Sequence, residues 1–544
     1  MTPEIAAFGP PPAAPPLHPR RGAAAGRNGL LFGASCALLA IASVTAPLRS
    51  ARAADDWREI QRRYERQFTA PAAAADRDRL LDDIAATGRA EAAGMLLDAA
   101  DVMENEAEPL RLRLSDVHRR LAPLQEDILL PAQHEERALL EKERDALSLE
   151  VRDVELAEGR VTDRLAATRS KDVVKALVDL AAKHKSWIGR AIAVQALGRL
   201  ATNDAIPALV RAAEDKDARV RMRAAEAFAK IKAPESTRAL AKLLEQDPDT
   251  KVRQTAVAAF LESGGGDAVQ ALIGALSRER GALLEDAHEA LTRLTRENHG
   301  PIYAAWRDWW EEHKKDYEGE GETVLRKRPL PPPRAAKGSK FEAPMSFVGL
   351  ESRSDKVVFV IDISDSMKDS SSSTFLPESG TPDRAGATRS KMDVAKEETK
   401  RAIRALTDKD KFNIVIYNHN VKKWMDRLVP ANESNKALAL AFIDKLVPSG
   451  GTNIFDALET TFHMGGFGAY DRYYQSELDT IILFSDGAPS AGRIQKLDEI
   501  RAEITRLNSL QKIKIHTVAL GKLADVPFLK ALAQENRGRF AQRD

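Results

Sequence analysis

The chain has 544 residues and a single cysteine, Cys36. One thiol excludes an internal disulfide and every cysteine-rich metal site. Charge of one sign is not in excess either: 82 Lys and Arg stand against 81 Asp and Glu, a net charge of +1. That balance gives no electrostatic case for nucleic acid, which asks for a basic surface. Signature loops of catalysis are missing too. There is no G-x-x-x-x-G-K-[ST], hence no P-loop ATPase, and no H-E-x-x-H among the ten histidines. The stretch Gly487–Gly492, GAPSAG, does not match the G-x-S-x-G elbow of a serine nucleophile. The paired glutamates of HEER and EEHKK read as solvated helix faces. On these grounds the chain is read as a non-enzyme.

One long apolar run is present. Arg20, Arg21 and Arg27 precede Gly29–Leu48, GLLFGASCALLAIASVTAPL, and Ala51-Arg52-Ala53 comes directly after it. A basic start, an apolar middle and an A-x-A end predict a secretory signal over residues 1–53. The alternative is an uncleaved anchor, since the run is near the lower limit for spanning a bilayer. Cys36 lies in GASC, but the apolar run continues past it, which argues against lipoprotein processing. Cleavage would leave a product without cysteine. Export without disulfides predicts a bacterial protein of the periplasm or cell surface, or of the inner membrane if the segment stays. Membrane association is expected through this segment alone.

The length asks for several domains. Residues 54–170 read as a helical region, with a long charged amphipathic stretch that suggests a coiled-coil hairpin broken near Pro131. Residues 171–316 carry a repeat. Four helices, AVQALGRL, AAEAFAKI, AVAAFLES and AHEALTRL, align at Leu197, Phe228, Phe260 and Leu291. Their partner helices align at Leu177, Leu209, Leu240 and Leu272. Two independent sets of landmarks share one period of about 32 residues, the mark of a helical-pair solenoid. The pattern resembles short bacterial HEAT-like repeats. Trp306, Trp309 and Trp310, at helical spacing, are expected to cap the stack. Residues 317–345 are rich in Gly, Glu and Pro and predict a stiff spacer that holds the C-terminal region away from the solenoid.

Residues 346–544 alternate apolar strands (KVVFVI, KFNIVIYN, TIILFS, KIKIHTVAL) with amphipathic helices. That order predicts a mostly parallel, doubly wound α/β sheet covered on both faces. Ligands bind such sheets beyond the carboxyl ends of the strands, where strand order reverses. Asp362 directly succeeds the first strand, with Ser364 and Ser366 two and four residues on; Asp486 directly succeeds TIILFS; Thr452 lies in the Gly-rich loop PSGGTNIFDAL. Oxygen donors without Cys or His favour a hard cation, Mg²⁺ or Mn²⁺. His419 and His463 are placed near the same rim as packed or surface residues.

With these residues the region resembles a von Willebrand factor type A domain with a metal-ion-dependent adhesion site, a Rossmann-like fold. The family pattern is D-x-S-x-S, a later loop Thr and an Asp after the fourth strand. The resemblance implies a metal held by Asp362, Ser364, Ser366, Thr452 and Asp486, the two Asp often acting through water. It also implies an open coordination position that an Asp or Glu of a protein partner fills. The position after Ser364 is often Gly in the family and is Asp365 here, a modulator that tightens the cation or repels an acidic partner. Aspartate tolerates a left-handed backbone, so the turn survives. The polar stretch KDSSSSTFLPESGTPDRAGATRSK beside this site is a loop that gates or recognises a ligand, or a plain surface loop. The expected role is metal-dependent protein binding, adhesion or scaffolding at the cell envelope. The alternatives are a non-catalytic subunit of an envelope enzyme or secretion complex, and a binder working through the solenoid alone with a structural metal site.

Overall fold

Leu and Ala at helical spacing, with few Pro or Gly inside the periodic segments, make the first half of the chain helical. The computed structural model describes residues 55–68, 74–125, 129–168, 170–231, 233–317, 345–347, 350–370, 389–464, 477–521 and 524–543. The secretory signal, most of the spacer and most of the polar stretch after the D-x-S-x-S segment lie outside the described residues. Three helices come first, α1 (Asp55–Phe68), α2 (Ala74–Ala86) and α3 (Ala90–Leu121), and α4 (Pro131–Ala167) returns along α3. Pro131 opens α4 at the position where an N–H would have no helical partner. The ion pairs Arg120–Glu136 and Arg113–Glu143 show that α3 and α4 run antiparallel.

The solenoid consists of α5 (Lys171–Lys183), α6 (Trp187–Leu200), α7 (Ile206–Ala212), α8 (Ala218–Lys230), α9 (Pro234–Gln246), α10 (Thr250–Ser263), α11 (Gly266–Arg278) and α12 (Gly281–Thr295). Even-numbered helices stack on one another, and odd-numbered ones do the same, giving two layers. All eight sequence landmarks, Leu177 through Leu291, have no exposed surface. The Val-Arg pairs that open α8 and α10 have a physical role. Arg221 forks onto Asp247 (2.7 and 2.9 Å) and Arg253 onto Glu279 (3.0 and 3.2 Å), each reaching the next repeat. Arg190 does the same to Asp215 (2.6 and 3.0 Å). After α12 comes α13 (Tyr303–His313), whose Trp306 is fully buried and donates its indole N–H to the Gly300 carbonyl (2.6 Å).

The rest is α/β. A small antiparallel hairpin, β1 (Met345–Phe347) and β2 (Leu350–Ser352), leads into β3 (Lys356–Asp362). Then come α14 (Lys391–Ala405), β4 (Lys411–Tyr417), β5 (Val421–Lys423), β6 (Val429–Pro430), α15 (Glu433–Asp444), α16 (Ile454–Met464), β7 (Thr480–Ser485), α17 (Leu497–Gln511), β8 (Lys514–Leu520), α18 (Val526–Glu535) and β9 (Phe540–Arg543). The sheet order is β5-β4-β3-β7-β8-β9, with β6 also on β4. β3, β4, β7, β8 and β9 are parallel; β5 and β6 run antiparallel to β4. β4 lies on one side of β3 and β7 on the other, so strand order reverses at β3. Alternation along β3 feeds two cores: Val357, Phe359 and Ile361 point to one, Val358 and Val360 to the other.

The second core corrects one expectation. The spacer predicts an α/β domain held at a distance, but Ala51–Asp544 forms a single compact unit. Leu114, Val117 and Leu121 of α3 and Leu140, Leu147 and Val151 of α4 share a core with Val358, Phe455, Ile500 and Ile504. An amphipathic hairpin has to cover its apolar stripe, and here the α/β domain does so. The solenoid meets the opposite, amino-terminal edge of the sheet through charge. Lys514, at the start of β8, reaches Asp286 (2.6 Å) and Glu285 (3.7 Å) of α12; Lys512 reaches Glu226 of α8 (2.8 Å). Two cavities of about 250 and 350 Å³ lie between the solenoid and the end of α17, both lined by Arg199 and Arg223.

His516 of β8 sits in this interface, fully buried, its Nδ1 accepting the Arg539 N–H (3.1 Å). Burial, aided by the charges of Lys514 and Arg539 and opposed by Glu285, pulls its pKa down to about 3. In the unfolded chain it titrates at ~6.5. The unfolded state therefore binds the extra proton between these values. This contribution to stability is present above about pH 6.5 and is lost as pH falls toward 3. Urea unfolding at pH 7.5 and 5.5 is expected to show a loss about 1.4 kcal/mol smaller in His516→Gln than in wild type. Equal losses in the two proteins would mean that His516 titrates alike in the folded and unfolded chain.

Candidate metal centre

The rim at the carboxyl end of β3 is built by local backbone bonds. Ile363 N–H donates to the Tyr417 carbonyl at the end of β4 (2.8 Å), and the Ile363 carbonyl accepts from Ser449 (2.7 Å). Asp362 is fully buried; its Oδ1 accepts the Ser364 N–H (2.8 Å) and its Oδ2 the Ser485 hydroxyl (3.2 Å). Ser364 and Ser366 hydroxyls lie 3.1 Å apart. Ser366 Oγ donates to Asp486 Oδ1 (2.9 Å), which joins the first motif to the residue after β7. Four of the predicted residues thus form one contiguous network. Thr452 reaches the same rim on its loop. Gly450 N–H donates to Asp365 Oδ2 (3.1 Å), and Asp365 N–H donates to the Gly450 carbonyl (2.9 Å). The Thr452 N–H donates to Ser490 Oγ (2.9 Å) and the Thr452 carbonyl accepts from Ser490 and Ala491, which ties it to the loop after Asp486.

Two glycines permit this closeness. Gly450 has φ of 77°, and an added Cβ would stand 2.2 Å from His419 Nδ1. Gly492 has φ of 94°, and its Cβ would stand 1.9 Å from Asn453 Oδ1. His419 is therefore at the rim, as expected. His463 is not: it is the penultimate residue of α16, about 15 Å along the helix from its Thr452 end.

Asp365 behaves differently from its sequence rationale. It opens a short 3₁₀ turn, Asp365–Lys368, and is not among the residues of positive φ. No left-handed backbone is needed. Its exposed carboxylate clips the Thr452 loop, and Lys368 and the Gly450 N–H hold its pKa below the ordinary range.

Lys391, the first residue of α14, carries no sequence signal. Its ammonium donates to Asp486 Oδ2 (2.8 Å) and to the Ser366 carbonyl (3.3 Å). Burial works against its charge, but Asp486 and then Asp369 hold its pKa above that of an ordinary lysine. Burial pushes Asp362 up to about 7, with the Ser364 hydrogen bond opposing and the Asp486 charge adding to the rise. The same burial, with Asp362 alongside, raises Tyr417, whose hydroxyl donates to the Phe484 carbonyl (3.1 Å). The rim therefore gathers two buried carboxylates and several hydroxyls around Asp362, with one lysine as the internal cation.

This donor set suits a hard divalent ion. Carboxylate and hydroxyl oxygens are present, imidazole stands to one side, and a fully buried acid held near 7 lacks an adequate counter-charge. Among the described residues, no helix is long and apolar enough to cross a membrane.

Comparison with known proteins agrees with both halves of the architecture. Residues 174–261 match HEAT repeats, and residues 383–541 match the von Willebrand factor type A domain. The second match begins beyond β3, so Thr452 and Asp486 fall inside it and the D-x-S-x-S segment outside. Inter-alpha-trypsin inhibitor heavy chain H2 of Mesocricetus auratus is 35% identical over 154 residues, and that of Mus musculus 37% over 155. Each match covers 28% of this chain and only 16% of the relative. A solved von Willebrand factor type A structure from Catenulispora acidiphila is similar at 22% identity, over 36% of this chain and 40% of that one, with a TM-score of 0.27. Residues 174–261 are thus similar to HEAT repeats and residues 383–541 to a von Willebrand factor type A domain.

Proposed function

We propose that this protein is a non-enzymatic binding or scaffolding component of the cell envelope, exported by its N-terminal segment, that captures an acidic protein group through a divalent metal. The observation that supports it most is the single oxygen network linking Asp362, Ser364, Ser366 and Asp486 at the strand-order reversal, with the Thr452 loop clipped to it. Those five residues are proposed to hold Mg²⁺ or Mn²⁺. When bound, the ion supplies an exchangeable, positively charged position for a carboxylate. The chain's own part is placement. Ser485 and Ser364 fix the Asp362 carboxylate, and Ser366 and Lys391 fix that of Asp486. Asp365 stands exposed beside the site and sets which partners approach: its carboxylate repels a partner that carries additional acidic groups.

The solenoid contributes rigidity. Its charged contacts hold the amino-terminal edge of the sheet, opposite the rim, so the binding face is presented on a large fixed base. The test is a Mn²⁺ titration of the full chain monitored by electron paramagnetic resonance, with and without a short Asp-bearing peptide. One ion per chain is expected, and the peptide should tighten it as the ion tightens the peptide, by linkage. Unchanged Mn²⁺ binding in the Ser364→Ala/Ser366→Ala variant would refute the site. A peptide without effect on Mn²⁺ affinity would refute capture of an acidic group.

A further inference from the structure

A second cluster lies at the other end of α16, between that helix and the hairpin. Glu459 and His463 are four residues apart on α16, which places both side chains on one face. His118, near the end of α3, comes to meet them. Its Nε2 lies 3.6 Å from Glu459 Oε2, and the two imidazole rings are 4.5 Å apart between centroids, tilted by 41°. One ligand atom from each of the three residues lies within 4.8 Å of the others. None of the five residues expected to hold the rim metal takes part.

We propose that His118, Glu459 and His463 form a binding site for a borderline-soft divalent ion, Zn²⁺ above all, that staples the helical hairpin to the α/β domain. Two imidazole nitrogens and one carboxylate oxygen suit Zn²⁺ and are poor ligands for Mg²⁺. A tetrahedral ion takes three protein ligands, and water fills the fourth position from the side of His118, whose side chain is one-fifth exposed.

The ligands are prepared for such an ion. Glu459 and His463 sit one helical turn apart and His118 closes on them from α3, so the three donors already converge. Burial works against the Glu459 carboxylate, but Arg493 keeps it ionised, well below the ordinary range. Arg493 is itself fixed: Nε donates to Asp456 (2.7 Å), Nη1 to Ser148 of α4 (3.0 Å), and Nη2 contacts Glu459. An outer residue that orients a ligating carboxylate is the usual companion of a metal ligand. Charge also favours a cation, since the Arg493 guanidinium is shared by two carboxylates, Glu459 and Asp456.

The consequence is mechanical. α16 starts two residues after Thr452 and ends at His463 and Met464. An ion here would anchor one end of the helix whose other end carries a rim residue.

The experiment uses the untagged full chain carrying Asp362→Asn, which disables the rim, and titrates Zn²⁺ by calorimetry and Co²⁺ by visible absorption. Tetrahedral Co²⁺ with nitrogen ligands absorbs much more strongly than octahedral Co²⁺ among oxygens, so the spectrum identifies the site. One equivalent of Zn²⁺, a strong Co²⁺ spectrum and a higher thermal midpoint with Zn²⁺ are expected. His118→Ala, at a partly exposed position, should fold normally by circular dichroism and weaken Zn²⁺ by more than about 100-fold. Binding unchanged in His118→Ala, a weak octahedral spectrum, or no Zn²⁺ uptake would each overturn the proposal. Failure at the rim would instead appear with Mn²⁺ and the serine variant, so the two readings fail separately.

Discussion

In Asp362→Asn, the stabilisation that Mg²⁺ or Mn²⁺ gives the wild-type chain is expected to vanish. Asparagine keeps the size of aspartate and an oxygen able to accept the Ser364 N–H (2.8 Å), so the loop keeps its shape. What it loses is the charge. An ion at 100 times its Kd stabilises the folded state by about 2.7 kcal/mol, several degrees in midpoint for a domain of this size. In EDTA the order should level or invert. A fully buried carboxylate pushed up to about 7 is an unfavourable ion without a cation beside it. Asp362→Asn is therefore expected to be at least as stable as wild type when metal is stripped. Differential scanning fluorimetry in Mg²⁺, Mn²⁺ and EDTA reads both effects. Equal metal shifts in both proteins would place the bound ion elsewhere. A variant that is much less stable in EDTA would make Asp362 a structural hydrogen-bonding residue.

The second large effect is expected where the solenoid holds the sheet. The Lys514 side chain is 2% exposed and lies 2.6 Å from Asp286 and 3.7 Å from Glu285. Glu285 also takes Arg539 (2.7 Å). Burial alone would raise the Glu285 pKa, but Lys514 and Arg539 hold it down to about 2. Its contribution to stability is therefore present above the ordinary carboxylate range and lost as pH falls toward 2. Lys514→Met keeps most of the volume and removes the charge, leaving Asp286 without its close ammonium. Breaking a buried pair from one side costs about 3–5 kcal/mol. Urea unfolding of the variant should shift by that amount and lose cooperativity, the α/β domain detaching from α12 before the solenoid melts. Adding Asp286→Asn should recover part of the loss, because the carboxylate left with the more distant Arg537 (3.9 Å) is gone. A loss below about 1 kcal/mol would show that solvent reaches Lys514 and that the pair is worth no more than a surface one.

Much of the architecture is legible in the chain itself. The 32-residue period fixes eight landmarks, and all eight are fully buried, because a helical pair can hide its apolar face only against its neighbours. The central strands β3 and β7 are near-continuous apolar runs, which is what burial on both faces demands, while Asn413 interrupts β4 and His516 and Thr517 interrupt β8. The short strands β5, β6 and β9 escape a reading of the sequence: they are two to four residues long, so no periodicity announces them. The donor residues of the rim are legible because D-x-S-x-S is local and the sheet rule names the edge where ligands bind.

Other features depend on residues far apart in sequence. Lys391 meets Asp486 across 95 positions, Lys514 meets Asp286 across more than 200, and His118 meets Glu459 across more than 300. Each is an ordinary charged or polar residue until the chain closes on it. An amphipathic stripe states only that it will be covered, and a lone histidine states nothing about its neighbours. The sequence by itself determined the longer elements and the repeat, and it named the candidate oxygen donors, because these are set by local periodicity and spacing. Only the tertiary structure decided what lies against what. The hairpin packs on the α/β domain, a lysine sits inside the rim, and two histidines share one buried carboxylate, because pairing between distant surfaces is set by packing and charge in three dimensions.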